Sequence, residues 1–187
     1  MTNSLSTDSL TVFSPLSRYR DLAAYNRWAN TRLLDACARL SRAQYREDRG
    51  TFFGSIHGTL NHLLVADRIW MGRFTGEGPT AGRLDAIACE ELDQLATERA
   101  REDGRIVAYV DGLDVADLAA ELRYANSSGA RFAQPLGPAL DHFFNHQTHH
   151  RGQAHALLSH FLGNAETPSL DLIYFQRMTG AGGARAG

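Results

Sequence analysis

PALDHFFNHQTHHRGQAHALLSHFLG, residues 138–163, reads as one long helix. Pro138 suits the first helical turn, where its missing N–H has no partner to lose, and Gly163 suits the position just past the end. Stepped at about 100° per residue, Leu140, Phe143, Phe144, Ala154, Leu158 and Phe161 fall on one side. His142, His146, His149, His150 and Gln153 occupy an adjoining arc of about 100°. One face is apolar and must be packed against other helices; the other is lined with imidazoles. Six of the chain's eight histidines lie in this segment.

Working outward, three more long helices are expected. Ser14-Pro15 reads as a helix start, and residues 16–40 repeat apolar side chains at three- and four-residue intervals as far as Leu40. Residues 52–74, FFGSIHGTLNHLLVADRIWMGRF, are apolar around most of their circumference, as in a helix buried on two sides. Gly76, Gly78, Pro79 and Gly82 mark a loop. Residues 87–113 form a third, more polar helix that ends at Gly112 and should turn a charged face to solvent. After a helical turn near 114–120, ELRYANSSGARFAQ (121–134) alternates apolar and polar residues about Asn126–Gly129, the pattern of a small β-hairpin. The segment 167–178, TPSLDLIYFQRM, is apolar enough to pack back on the bundle. The expected fold is all-α: an antiparallel bundle of about four helices over residues 14–179, with a flexible start (1–13) and a disordered tail (180–187).

Composition sets the class. At 187 residues, 43% hydrophobic and 21% charged, the chain can bury a core without disulfides or metal as obligatory staples. Nineteen Lys plus Arg against 21 Asp plus Glu leave a charge of −2, without the basic footprint that nucleic-acid binding requires. No window approaches the apolar length of a membrane-spanning helix, and the first fifteen residues lack the charged start and apolar stretch of a signal peptide. Cys37 and Cys89 are far apart on segments read as helical, with no C-x-x-C spacing. A reducing cytoplasm is the expected location, with neither nucleic acid nor membrane as partner.

Helix geometry makes the imidazole face a candidate metal site. Residues i and i+4 lie about 6 Å apart on one face, so two imidazoles can reach one ion at about 2.1 Å. Both His142/His146 and His146/His150 meet that spacing. His142 and His150 cannot share an ion easily, because eight residues of helix rise about 12 Å. A third ligand must come from a neighbouring helix, where residues 52–74 offer His57 and His62. These lie about 140° apart around the axis and cannot both face one interior, and a helix apolar all round does not say which one does. The competing reading is a solvated histidine stripe that binds no metal and titrates near pH 6.5.

Three segments, AYNRWANTRLLD (24–35), GTLNHLLVADRIWMGRF (58–74) and FNHQTHHRGQAHALLSHFLG (144–163), resemble the DinB-like (DinB/YfiT) family. The similarity extends to the hairpin and the DLIYF tail (171–175), and H-x-x-x-H-R-G-Q is its most specific motif. The resemblance implies a four-helix bundle with a long crossover, usually a homodimer, holding a divalent metal through one histidine of the second helix and two of the fourth. The family's ligand in the second helix precedes a tryptophan by eight residues, which matches His62 and Trp70. The pair before R-G-Q matches His146 and His150. His62, His146 and His150 are therefore the expected ligands, with zinc the first candidate ion and nickel the second.

Three neutral imidazoles leave a coordination position open, the arrangement of catalytic rather than closed structural sites. An open ion can lower the pKa of bound water or thiol toward neutrality. The resemblance implies a thiol-dependent S-transferase with a low-molecular-weight thiol as co-substrate, whereas metal-bound water would make the chain a hydrolase; either would act on a small molecule. The alternative is a non-catalytic, damage-inducible metal-binding protein. Gln153, Asp67, Arg151 and His142 are candidates to orient ligands or touch substrate, with Asp141 and Asn145 behind them. Gln153, on the imidazole arc, is the foremost. Trp70, Phe143 and Phe144 are expected in the core.

Overall fold

The computed structural model describes residues 14–126 and 128–180. The expectations for residues 1–13, for nearly all of the tail and for Ser127 of the hairpin turn lie outside the described residues. The elements are α1 (Pro15–Cys37), α2 (Arg42–Arg46), α3 (Ile56–Thr75) and α4 (Leu92–Asp111), then a 3₁₀ turn (Val115–Ala119), β1 (Glu121–Ala125), β2 (Arg131–Pro135), α5 (Leu136–Leu162) and α6 (Leu172–Thr179). The all-α bundle with a small antiparallel hairpin is as expected, the hairpin pairing Tyr124 with Phe132.

The four long helices are α1, α3, α4 and α5. Both α1 and α3 pack against both α4 and α5, so α1 lies diagonally across from α3. One apolar cluster joins Leu33, Leu60, Leu64, Leu95 and Leu158, and a second joins Leu16, Met71, Ile106, Leu140 and Phe143. Helices α1 and α5 therefore start at the second cluster, whereas α3 and α4 start at the first. The bundle is mixed rather than wholly antiparallel. Because α3 and α4 run the same way, the chain must travel back along the whole bundle between them. Residues 76–91 make that long crossover.

Between the two apolar clusters lies a buried polar layer to which each long helix contributes. Asn26 and Asn30 come from α1, Asp67 from α3, Arg99 and Asp103 from α4, and Gln147 and Arg151 from α5, all at most 4% exposed. Arg99 bridges Asp67 (Nη1–Oδ2, 2.6 Å) and Asp103 (3.1 Å). Both asparagines donate amide N–H groups to Asp103 at 3.0 Å, and Arg151 donates to Asn26. The expectation of a solvated charged face on the third helix is thus corrected for Arg99, Glu102 and Asp103, which are buried. Their charge is tolerated because each meets an opposite charge or an amide.

Several boundaries move. Helix α1 stops at Cys37 rather than Leu40, because the backbone turns and Ser41 caps the short α2 through a capping box. Helix α3 begins at Ile56 rather than 52. Ser55 accepts a hydrogen bond from the Gly58 N–H as its N-cap, and Thr51–Gly54 form a tight turn instead. Helix α4 begins at Leu92 rather than 87, so Cys89 lies in the crossover and not on a helix. Helix α5 starts at Leu136, two residues before Pro138, which still falls in the first turn. The tail does pack back: Phe175 of α6 lies against Tyr25 and Trp28 at 5.8 and 5.5 Å between ring centres. Cys37 and Cys89 are both buried as free thiols, and no helix among the described residues is long and apolar enough to cross a membrane.

Candidate metal centre

The crossover and the turn before α3 both press on α3, and two glycines allow it. A Cβ on Gly72 would sit 2.0 Å from the Pro79 carbonyl oxygen, and one on Gly58 would sit 2.1 Å from that of Phe53. With hydrogen there instead, the crossover brings the Leu84 carbonyl onto His62, and the turn lays the Phe53 ring flat on the His62 imidazole at 3.8 Å between centres. Phe53 also meets His150 edge-on at 5.4 Å.

Under this cover His62 of α3 meets His146 and His150 of α5, one potential ligand atom from each lying within 4.8 Å of the others. The Nε2 atoms of His62 and His146 are 3.3 Å apart. Two imidazole nitrogens bound tetrahedrally at about 2.0–2.1 Å stand about 3.4 Å apart, so the spacing fits a small divalent ion. His62 Nδ1–H donates to the Leu84 carbonyl at 2.8 Å, and His150 Nδ1–H donates to Gln153 Oε1 at 2.8 Å. Each bond fixes a tautomer and leaves Nε2 as the free lone pair.

Electrostatics keep the lone pairs available. Burial pushes His62 down to about 4, against the opposing pull of the Leu84 carbonyl. Burial and the neighbouring imidazoles push His146 down to about 3, and burial likewise lowers His150. All three are neutral at pH 7. Among the described residues no carboxylate joins the cluster, so an ion held there would keep its full double charge.

The remaining candidates divide between two environments. Gln153 is beside the triad, its Nε2–H also donating to His149 Nε2 at 3.2 Å. His142 is next to it, 5.9 Å from His146 and 5.1 Å from Trp70 between ring centres. Asp67 and Arg151 direct their polar bonds into the buried layer shared with α1 and α4. Asp141 accepts from the Tyr19 hydroxyl at 3.2 Å, and Asn145 is exposed. His57 is turned away: its Nε2–H donates to the Cys89 carbonyl at 3.1 Å, and its ring meets Tyr45. Phe143 and Phe144 are core residues, whereas Trp70 is half-buried and lines a cavity of about 270 Å³ together with His142 and His146. Two contributors escaped sequence reasoning. Phe53 was assigned to the helix, although Gly54-Ser55 marks a turn and cap after it; the Leu84 carbonyl is backbone and carries no residue-type signal.

The chain is 26% identical over 156 residues to Protein DinB of Bacillus subtilis (strain 168), covering 79% of this chain and 88% of that protein. No solved structure matches it. The DinB family as a whole is matched over residues 5–183, which takes in the bundle, the hairpin and all three clustered histidines. With nearly its full length aligned and the histidine cluster assembled between α3 and α5, the chain belongs to the DinB family.

Proposed function

We propose that this chain is a divalent-metal-dependent enzyme, a thiol-dependent S-transferase or a hydrolase of small molecules. One ion, zinc first and nickel second, would be held by His62, His146 and His150. The observation that carries the proposal is that three neutral imidazoles converge, two with their Nδ1–H groups already anchored to oxygen and the third, His146, in the wall of a cavity.

When bound, an ion in such a site lowers the pKa of a water or low-molecular-weight thiol toward neutrality. The protein's own residues do the rest. Leu84 and Gln153 hold two of the rings against rotation, which preserves the geometry without a cost of reorganisation. Phe53 covers the His62 ring and meets His150 edge-on, which excludes water there, and the lower local dielectric strengthens charge interactions in the cluster. His142, lowered by burial and by Arg73, is neutral and half-exposed beside His146, where it can accept or release a proton.

Elemental analysis of wild type and His146→Ala, each purified without a metal column, tests the site. About one equivalent of metal in the first and little in the second is expected; equal contents would end the proposal. A second reading, in which the ion only fixes the bundle, is favoured by the Phe53 ring covering His62. Cobalt-substituted protein separates the two. A spectrum that shifts with added thiol supports catalysis, and one indifferent to thiols and small anions supports the structural role.

A further inference from the structure

The cavity beside His146 contains a cation that the triad does not use. Arg73, near the end of α3, is half-buried, its guanidinium carbon 4.6 Å from the Trp70 ring centre and 5.0 Å from that of Tyr124. Its Nε–H donates to the Thr80 carbonyl at 3.1 Å. Among the described residues, no carboxylate lies within salt-bridge distance of it and neither terminal nitrogen has a hydrogen-bond partner. Arg68, Arg99 and Arg105 differ in that each meets a carboxylate. A guanidinium that is partly desolvated and aromatic-clamped still has two terminal N–H pairs to satisfy.

The surroundings say what would satisfy them. Arg73, Trp70, Asn126, His142 and His146 line one cavity of about 270 Å³, whose remaining walls include the apolar Ile69 and Leu84. The Asn126 Oδ1 is consumed by the hairpin turn, accepting from the Ser128 and Ala130 N–H groups at 3.0 and 2.9 Å, so the amide N–H₂ remains as a second donor. Both histidines in the wall are neutral at pH 7. The cavity thus offers one permanent positive charge with a planar fork, one amide donor and an indole wall. A planar fork with a single charge matches a carboxylate, which takes two parallel N–H···O bonds, better than a phosphate dianion. The volume falls just below the range for drug-sized ligands.

We infer that Arg73 anchors the carboxylate of a small organic acid in this cavity, with Asn126 as second donor, so that the acid's other end is presented to His146. For the role of that other end the inference rests on the metal-dependent function proposed above. The carboxylate anchor stands without it.

Calorimetric titration of zinc-loaded protein with 3-mercaptopropionate and with its neutral amide tests the anchor. Wild type should prefer the acid by about tenfold or more, as expected for a charge-assisted bidentate pair. Arg73→Met should lose the preference while keeping its zinc and its affinity for the amide. Arg73→Lys, which keeps the charge and loses the fork, should fall between, and it serves if the methionine variant is unstable. The same comparison on metal-free protein with 3-phenylpropionate and its amide reads the carboxylate end alone. Failure to load zinc would therefore sink the proposed enzyme and leave the anchor to be judged by this second pair. No preference for the acid in wild type, a preference that survives Arg73→Met, or tighter binding of inorganic phosphate would each overturn the inference.

Discussion

Gln153→Leu should weaken zinc binding by about tenfold and leave the bundle as stable as before. The Gln153 Oε1 accepts the His150 Nδ1–H at 2.8 Å and so holds that imidazole with Nε2 facing the cluster. Removing such an outer partner typically lowers metal affinity by about 10–100-fold, or about 1.4–2.7 kcal/mol. Two features place this case at the low end. Gln153 is only half-buried, so water can replace its oxygen, and the other anchor, the Leu84 carbonyl on His62, is untouched by the substitution. Fold stability should hold because leucine is a good helix former and the other Gln153 contact is to the exposed His149. Competition with a chromophoric chelator at pH 7.5 measures the affinity, and a urea melt of metal-free protein measures the stability. Gln153→Glu, with a stronger acceptor, should bind at least as tightly as wild type. An affinity within twofold of wild type, alongside loss of binding in His146→Ala, would refute the reasoning. So would a stability loss large enough to account for the weakening, since Gln153 would then be a packing residue.

Four other outcomes are expected. Arg99→Met strands the buried Asp67 and Asp103 carboxylates without their shared cation and should cost about 3–5 kcal/mol in urea unfolding; a loss under about 1 kcal/mol would contradict the buried layer. Metal-free protein should lose stability as pH falls below 6.5. His62 and His146 sit at about 4 and 3 when folded, so below 6.5 the unfolded chain takes up protons that the folded one refuses. Asp67, pushed up from 3.8 to about 7 by burial, opposes this over the same window, its contribution being lost as pH rises, but one carboxyl stands against two histidines. A urea midpoint that is flat or rises from pH 6.5 to 4.5 would refute the assignment. Gly72→Ala forces a Cβ against the Pro79 carbonyl and should cost about 1–3 kcal/mol and loosen zinc, because Leu84 moves with the crossover; Gly104→Ala, with open space around it, should be neutral or stabilising. Removing metal with a chelator should leave helical circular dichroism intact, because two apolar clusters and the polar layer hold the bundle without it.

The legibility of this protein follows the range of the interactions involved. Helix periodicity and the i, i+4 relation of His146 to His150 are local, so they could be read along the chain, as could the hairpin and the returning tail. Helix ends were read less well where a cap outranked periodicity: Ser55 and Ser41 set boundaries that apolar spacing ran through. His57 and His62 could not be separated by a helical wheel on a segment apolar all round. Family resemblance pointed to His62, and the fold shows the physical difference, with His57 turned to the Cys89 carbonyl and His62 to the α5 imidazoles.

By itself the sequence determined an all-α bundle with an imidazole face on its last long helix, because 3.6-residue periodicity needs no knowledge of neighbours. Only the tertiary structure decided that α3 and α4 run the same way, that Arg99 and Asp103 are interior, and that Phe53 and the Leu84 carbonyl close over the histidines. Each depends on groups far apart in the chain, or on backbone atoms that every residue carries alike, and neither leaves a mark in residue spacing.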